Sequence, residues 1–383
     1  MSWNCPVCET ENNDEIIICG TCNFDRSLDY EHYPTLHQSL GKDAKTLSFY
    51  KRMYEAENAG GAHKCKQCGK KNFFYYAGTG ALVCSNCGTK AFISSASVKT
   101  EDIYEGSVPV NRLDRDLLEK YFKMNKKGII SIVGGAGHYV LTTDVGTAEA
   151  YGDDDEGKYK VSGWKDIKYA VCGLYNTIGL NNKGRIVLAG KNYDTDPVNT
   201  RTWKEVKNIS CGDEYIIGLL NDGTVITAGK HPFDPDDLYE WNNIVAISAG
   251  KEHAIGLKND GTVIATGCNN NGQCDVSSWF GIIAVSAGFQ HTIALKADGT
   301  VLCTGTDPGN DVISSLKNVS AVSAGGKHSV FLTSDGKVIA TGDNSNGQCD
   351  VKNWYDVVAI SAYGDRTLGL RADGKVLMMG KLF

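Results

Sequence analysis

Short runs of small and β-branched residues alternate with polar turns along the last two thirds of the chain. One unit consists of Ile244 to Ala249, Ala254 to Lys258 and Thr262 to Thr266. Between the second and third runs lies Asn259-Asp260-Gly261, a tight-hairpin signal in which glycine supplies a positive φ. The pattern predicts three consecutive antiparallel strands of four to six residues each.

This unit recurs about every 38 residues from about Gly128 to Phe383, with steps of 37–39 residues. Three sets of equivalent positions, here called columns, recur at the same spacing in successive copies. The turn column is Gly146, Gly184, Gly223, Gly261, Gly299, Gly336 and Gly374; the strand-end column is Gly152, Gly190, Gly229, Gly267, Gly305, Gly342 and Gly380; and the loop column is Trp164, Trp203, Trp241, Trp279, Leu316 and Trp354. Seven copies of this size predict a mainly β fold, a seven-bladed β-propeller of about 38-residue repeats, and an open solenoid is the alternative.

The last copy, Tyr355 to Phe383, stops just after its third glycine. Because a ring must close, chain just before Gly128 is predicted to complete the seventh blade. Within Ile103 to Lys127, the stretch Asn111 to Lys126 reads as a helix capped by Asn111. Its predicted apolar side consists of Leu113, Leu117, Leu118, Tyr121 and Phe122.

A further column precedes each second strand: His138, Asn176, Tyr215, His253, His291, His328 and Arg366. Four histidines at equal spacing suggest a metal site, but a metal needs several ligands converging on one point. Since Asn, Tyr and Arg replace histidine within the same chain, we interpret the column as hydrogen bonders that brace loops. Six cysteines of the repeats are predicted to be buried free thiols: Cys172, Cys211, Cys268, Cys274, Cys303 and Cys349.

The repeat motif I-S-A-G-x-x-H…L-x-x-D-G-T-V…T-G-x-N-x-x-G-Q-C-D-V…W resembles repeats of the regulator-of-chromosome-condensation family. It is clearest in Ile247 to Trp279 and in Val322 to Trp354, and the resemblance covers residues 128–383. The short repeats are similar to those of bacterial members. The resemblance implies a seven-bladed propeller and suggests guanine-nucleotide exchange on a small GTPase. In exchange factors one blade carries an inserted β-wedge, for which steps of 37–39 residues leave no room.

The first hundred residues contain four C-x2-C pairs. The first two pairs are separated by ten residues and the last two by fifteen, which suits two tetrahedral Zn²⁺ sites of four thiolates each. The predicted ligands are Cys5, Cys8, Cys19 and Cys22 for one ion and Cys65, Cys68, Cys84 and Cys87 for the other. Zinc binding would supply the folding free energy that such small modules lack.

The first module, with Trp3 before its cysteines, resembles the Ran-binding-protein type of zinc finger and also bacterial zinc ribbons. Members of that finger family bind ubiquitin or single-stranded RNA. Glu9-Thr10 stands where the ubiquitin binders have Thr-Phe, and the loop Glu11 to Ile18 is acidic where RNA binders carry arginines. Neither specificity therefore transfers to this chain.

The second module has no acidic residue between positions 61 and 100. Its basic and aromatic residues suggest stacking on single-stranded nucleic acid. The residues concerned are Lys64, Lys66, Lys70, Lys71, Phe73, Phe74, Tyr75 and Tyr76, the aromatic ones in a predicted central loop. The alternative, which we favour, is that the aromatic side chains form the small core of the ribbon and the lysines only solvate it.

These patterns divide the chain into five segments: 1–31, a first zinc ribbon; 32–60, a helical linker with a helix over Lys42 to Asn58; 61–100, a second zinc ribbon; 101–127, a helical or blade-closing segment; and 128–383, the propeller. Of 39 Lys and Arg and 45 Asp and Glu, residues 128–383 hold 22 and 29 respectively. The net negative charge disfavours a large nucleic-acid surface on the propeller. No secretion signal or apolar span is recognisable, and a cytoplasmic protein without a membrane segment is predicted.

No catalytic motif is recognisable: there is no phosphate-binding loop ending in Lys-Ser/Thr, no nucleophile elbow and no H-E-x-x-H. The acidic run Asp153 to Glu156 is interpreted as a solvated loop. The sequence therefore favours a non-enzymatic scaffold, whose propeller binds a partner protein on one face while the zinc ribbons recruit another. Nucleotide exchange on a small GTPase and nucleic-acid binding by the second ribbon are the alternatives.

Overall fold

The computed structural model describes residues 112–154, 157–191, 200–306 and 309–381, together with Pro109 and five short strands nearer the N-terminus. Two of these strands, β1 (Ser2–Asn4) and β2 (Glu11–Asn13), pair antiparallel. The other three, β3 (Phe73–Tyr76), β4 (Ala81–Cys84) and β5 (Lys90–Phe92), form a three-stranded antiparallel sheet. The central loop predicted for Phe73 to Tyr76 is therefore wrong: these residues pair with β4, as aromatic residues of high strand propensity commonly do.

Residues 129–380 form seven three-stranded antiparallel sheets, here called blades 1 to 7, whose arrangement resembles a propeller. Their strands are β6 (Ile129–Gly134), β7 (His138–Thr143) and β8 (Ala148–Gly152); β9 (Ile167–Cys172), β10 (Asn176–Asn181) and β11 (Ile186–Gly190); β12 (Val206–Cys211), β13 (Tyr215–Leu220) and β14 (Val225–Gly229); β15 (Ile244–Ala249), β16 (His253–Lys258) and β17 (Val263–Gly267); β18 (Ile282–Ala287), β19 (His291–Lys296) and β20 (Val301–Gly305); β21 (Val319–Ala324), β22 (His328–Thr333) and β23 (Val338–Gly342); and β24 (Val357–Tyr363), β25 (Arg366–Arg371) and β26 (Val376–Gly380). The three-strand unit predicted from the hydrophobic pattern is confirmed.

The tryptophans of the loop column pack over the second strand of the following blade. Trp241 lies against Gly256, where a Cβ atom would come within 2.7 Å of the indole ring. The same pairing joins Trp354 to Gly369 fifteen residues later. These glycines have ordinary strand conformations, and the ring occupies the space that a side chain would take. The loop between two blades is thereby fixed onto the next sheet.

Serine side chains form hydrogen bonds between neighbouring blades near the axis. The Oγ of Ser248, in blade 4, accepts a hydrogen bond of 3.0 Å from the backbone N–H of Ala287 in blade 5. Equivalent bonds run from Ala249 to Ser210, from Ala324 to Ser286 and from Ala362 to Ser323. The last bond of the series, from Gly134 N–H to Ser361 Oγ at 3.0 Å, joins blade 1 to blade 7, and β24 packs against β6. The seventh sheet therefore contacts the first.

The seventh blade has three strands of its own, so the upstream chain adds no strand to its sheet. What precedes blade 1 is helix α1 (Arg115–Met124), with Leu117, Leu118 and Tyr121 buried against blades 6, 7 and 1. The Tyr121 hydroxyl donates to the Ile129 carbonyl at 2.7 Å. The helix thus takes the place of the missing loop segment beside blade 1.

The apolar side predicted for this helix is confirmed, but its start is not. The N-cap of the helix is Asp114, three residues after the predicted cap Asn111, which lies outside the described residues. Asp114 instead donates its backbone N–H to Ser334 of blade 6, and Arg112 donates to the Ser320 carbonyl. Arg112 lies in a turn, Leu113 in a bend and Asp114 is extended, so the tertiary bonds override the local helix propensity of these residues.

Short helical segments lie in three of the loops that connect blades. They are helix α2 (Asn310–Ser315) and the 3₁₀ turns Thr200–Thr202 and Pro235–Glu240. Among the described residues, no helix combines the length and the apolar character needed to span a bilayer. The helix predicted over Lys42 to Asn58 falls outside the described part of the chain.

Candidate interaction face

The residues of the histidine column form hydrogen bonds between consecutive blades. Each histidine uses Nε2, paired with a buried hydroxyl of the next blade. The pairs are His138 with Thr177 at 2.9 Å, His253 with Thr292 at 2.8 Å, His291 with Ser329 at 3.0 Å and His328 with Thr367 at 2.9 Å. The bracing role predicted for this column is confirmed for the four histidines.

Tyrosine and arginine perform the same task in two other blades. The Tyr215 hydroxyl donates to the carbonyls of Gly250 and His253 in the next blade, at 2.9 and 2.8 Å. Arg366 Nη1 donates to the Gly135 carbonyl at 3.2 Å, a second link between blade 7 and blade 1. In blade 2 the Asn176 amide donates to the Lys191 carbonyl at 3.1 Å, just after the third strand of the same blade.

The four histidines are neutral in the folded protein. Burial lowers the pKa of each imidazole from 6.5 to about 4, because charge is disfavoured away from water. Each ring bonds a different hydroxyl, and the described residues contain no group of three or more His, Cys, Asp or Glu able to hold a metal ion. The four histidines therefore hold neighbouring blades together by hydrogen bonds.

The loops that join first and second strands meet around the axis at one end of the ring, here called the mouth. A depression open to solvent lies there, and all seven blades line it. Much of its wall is glycine and alanine, including Gly134, Ala249, Gly288, Ala324 and Ala362. Small side chains leave the axial space open, so larger side chains of the mouth can point into it.

Four larger side chains, from blades 3, 4, 5 and 7 and here called the axial cluster, lie at the mouth: Asp213, Lys251, Phe289 and Tyr363. The Tyr363 hydroxyl donates to Asp213 Oδ1 at 2.7 Å, which connects blade 7 to blade 3. The rings of Phe289 and Tyr363 meet edge to face, with centroids 6.1 Å apart and planes at 85°. Lys251 Nζ lies 5.5 Å from the Phe289 centroid. The cluster thus combines a carboxylate, two aromatic rings and a cation already resting on one ring.

Negative charge predominates around the mouth. The loops between first and second strands carry four carboxylates, Asp213, Glu214, Glu252 and Asp365, and two ammonium groups, Lys251 and Lys327. The outer loops at the same end add carboxylates, among them Asp234, Asp236 and Asp237 around a short 3₁₀ turn, and lysines, among them Lys158, Lys191 and Lys230. The mouth is therefore suited to a partner with positive charge.

Sequence reasoning missed the axial cluster, although one signal for it exists. Tyr363 stands where the other six blades have glycine: Gly135, Gly173, Gly212, Gly250, Gly288 and Gly325. At Gly250 and Gly288 a Cβ would come within 2.7 and 2.4 Å of the histidine ring of the same blade. Blade 7 has Arg366 instead of histidine, so a tyrosine is accommodated there. The replacement of this glycine by Tyr363 is the feature of the sequence that marks the candidate site.

The six cysteines of the repeats are free, as predicted, but only Cys172 is buried; the other five are half-buried. The expectation of burial is wrong for those five because they lie in strand edges and loops that face solvent on one side. Burial nonetheless raises the pKa of Cys274 and of Cys349 to about 11, so both are thiols at neutral pH.

The predicted zinc ligands lie outside the described residues, except that the backbone of Cys84 ends β4. The same is true of the lysines suggested for nucleic-acid binding. Of the acidic run Asp153 to Glu156, only the first two residues are described; Asp154 accepts a hydrogen bond from the backbone N–H of Tyr159 within its loop. The zinc sites and the nucleic-acid site stay predictions.

Comparison with known proteins identifies the repeats. Three stretches, residues 244–273, 282–310 and 319–348, match the Regulator of chromosome condensation (RCC1) repeat. They coincide with blades 4, 5 and 6 and their following loops, so the resemblance to these repeats is confirmed there. No curated protein sequence matches the chain.

Three solved structures resemble the repeat domain. The ectodomain of the Physcomitrella patens receptor kinase CR4 is 16% identical with a TM-score of 0.54, covering 66% of this chain and 72% of that one. Human WBSCR16 is 16% identical with a TM-score of 0.52, covering 64% and 88%. The ectodomain of the Arabidopsis thaliana receptor kinase ACR4 is 17% identical with a TM-score of 0.50, covering 66% and 96%. At such identities the likeness establishes the fold alone.

Proposed function

We propose that this chain is a non-enzymatic interaction scaffold, in which a seven-bladed propeller binds a partner protein at its mouth. The observation that carries the proposal is the axial cluster together with the excess of carboxylates around it. A rigid scaffold that presents loops at one end is a common basis for recognition. The serine and histidine bonds between blades support it, since they fix the positions of the seven loops before a partner arrives.

The charge of the mouth favours a partner with a basic surface. Glu214 and Lys230 form an exposed pair at 3.5 Å, which contributes little to stability and leaves both groups in contact with water. Charges in such a position act mainly on the rate of encounter and on the choice of partner. The proposed partner is therefore a protein that carries lysine or arginine where it meets the mouth.

The test begins with capture of partners from native-host lysate by the full chain after nuclease treatment. The captured protein is then purified, and its affinity for two matched variants is measured. Glu214→Gln with Glu252→Gln removes two charges at the mouth and should weaken binding several-fold, mainly through slower association. Asp222→Asn with Asp260→Asn removes two charges from hairpin turns at the opposite end, while Asn keeps the turn acceptor. This control should bind like the wild type.

Equal affinity for both variants would contradict binding at the mouth. Capture that disappears with nuclease would favour the nucleic-acid alternative through the second ribbon. A small GTPase among the captured proteins, with faster nucleotide release in the presence of this chain, would favour exchange instead. Neither alternative has an observation in its favour among the described residues.

The N-terminal modules are proposed to be accessory recruitment modules, each holding one Zn²⁺ through four cysteines. We expect metal analysis of the full chain to find two zinc ions per molecule. Cys65→Ser with Cys68→Ser should remove one of them, because two thiolates do not hold zinc at structural affinity. Cys268→Ser with Cys274→Ser, a pair of half-buried free cysteines in the repeats, is the matched control and should keep both. Fewer than two ions in the wild type would contradict the assignment.

A further inference from the structure

The axial cluster has the groups that a guanidinium requires. We propose that it binds the side chain of an arginine that the partner protein inserts into the mouth. The inference rests on the proposed function and names the chemistry of its central contact. It is argued from the geometry of Asp213, Phe289, Tyr363 and Lys251.

The aromatic part of the cluster already accepts a cation. Lys251 Nζ lies 5.5 Å from the centroid of Phe289, within the range of a cation–π contact. Tyr363 meets Phe289 at 85°, so the two rings form two sides of a corner. A planar guanidinium stacks on an aromatic face better than an ammonium does, because it is flat and less strongly hydrated.

The carboxylate of the cluster is held in place by one hydrogen bond and can accept further ones. Asp213 is half-buried, and its Oδ1 accepts the hydrogen bond from Tyr363 at 2.7 Å. No hydrogen bond to Oδ2 is found within the described part of the chain. An arginine carries five N–H donors and can approach Oδ2 while its plane lies on Phe289. The tyrosine bond keeps the carboxylate from rotating away, which reduces the entropic cost of binding.

The depression at the mouth admits a side chain from solvent, and the charges around it favour a cationic side chain over an anionic one. The depression at the mouth is open to solvent and walled largely by small residues, so an arginine side chain can approach Asp213 and Phe289 from outside. An anionic side chain would meet Asp213 and the neighbouring carboxylates. Lys251 opposes a cation, but it is exposed and can turn into water at little cost. Lys251 therefore acts as a weak internal competitor for the same ring.

The proposal predicts opposite effects for two substitutions. The probe is the peptide acetyl-Gly-Gly-Arg-Gly-Gly-amide, titrated into the full chain by calorimetry, beside peptides with citrulline or lysine in place of arginine. Asp213→Asn, which keeps an acceptor for Tyr363, should weaken binding of the arginine peptide about tenfold, since a charge-assisted bond is lost. Lys251→Met should strengthen it several-fold. The citrulline peptide should bind at least about tenfold more weakly, and the lysine peptide should fall between the two.

The Asp222→Asn variant, altered at the opposite end of blade 3, serves as the control and should bind like the wild type. Unchanged thermal unfolding of each variant shows that the fold is kept. The inference is overturned if citrulline and arginine peptides bind equally or if Asp213→Asn binds the arginine peptide unchanged.

The captured partner gives a separate readout. If Glu214→Gln with Glu252→Gln weakens partner binding while Asp213→Asn does not, the scaffold function stands and the arginine site fails. If the peptides discriminate as expected but the partner ignores every mouth variant, the arginine site stands and the proposed binding face fails.

Discussion

Acidification should destabilise this protein well above the pH at which its carboxylates protonate. The four buried histidines have a pKa of about 4 when folded and an ordinary value near 6.5 when unfolded. A lowered folded pKa means that the unfolded chain binds more protons between these values, so stability is complete above pH 6.5 and falls as the pH drops toward 4. Each histidine should cost about 2 kcal/mol at pH 5 relative to pH 7, which gives roughly 7 kcal/mol for the four.

Urea unfolding of the full chain at pH 7.0, 6.0 and 5.0 measures this loss. His253→Asn places in blade 4 the residue type that blade 2 has at Asn176. This variant should take up about one proton fewer on unfolding, so its stability should depend less steeply on pH. The carboxylates of Asp260 and Asp298 have lowered pKa values, and hydrogen bonds from threonine are the largest cause of each shift. Protonation of these two carboxylates therefore affects stability only at more acid pH and does not contribute to the change between pH 7 and pH 5. Stability that is flat from pH 7 to 5 would contradict the neutral, bonded histidines.

Trp354→Ala should be among the most damaging single substitutions in the repeat domain. The side chain is only 7% exposed and belongs to the buried cluster that also holds Tyr121 of helix α1. Removing it leaves a cavity over Gly369, and buried Trp→Ala changes cost about 3–5 kcal/mol. Denaturant unfolding at neutral pH measures the loss. Tyr355→Ala, at the adjacent residue with 58% exposure, should cost less than about 1 kcal/mol, since it removes only a surface contact with Arg371.

The packing of Trp354 on Gly369 can be tested by a double-mutant cycle. Gly369→Val places branched atoms where the indole lies, and overpacking of this kind costs about 1–3 kcal/mol. In the Trp354→Ala background the same change should cost much less, because the added methyl groups enter the vacated space. A valine rather than an alanine is used, since blade 5 has Ala294 at the equivalent position, in the same buried cluster as Trp279. Additive effects would contradict direct packing of the pair.

Helix α1 illustrates the limit of local sequence signals. The spacing of Leu117, Leu118 and Tyr121 indicated a helix with one apolar side, and the structure buries those residues. The start of the helix could not be predicted, because Asp114 is held by a bond to Ser334, more than two hundred residues away in sequence. Its role at the junction of blades 6, 7 and 1 also depends on contacts that no local pattern contains.

The histidine column shows the opposite case. Substitution of histidine by Asn, Tyr and Arg within one chain predicted a bracing role, and bonds such as His253 to Thr292 confirm it. What the column could not reveal is that the bonds run between blades. The partners lie 38 or 39 residues apart, which is one repeat. Recognising this requires knowing that consecutive repeats stack side by side.

By itself the sequence determined the three-strand unit, its sevenfold repetition and the positions of its turns. These depend on backbone geometry and on side-chain periodicity, which act over a few residues. Only the tertiary structure decided that blade 7 packs directly on blade 1 and that Asp213, Lys251, Phe289 and Tyr363 meet at the mouth. These four residues span 150 positions between Asp213 and Tyr363. They meet because radial stacking of the blades brings one loop from each to the same axis.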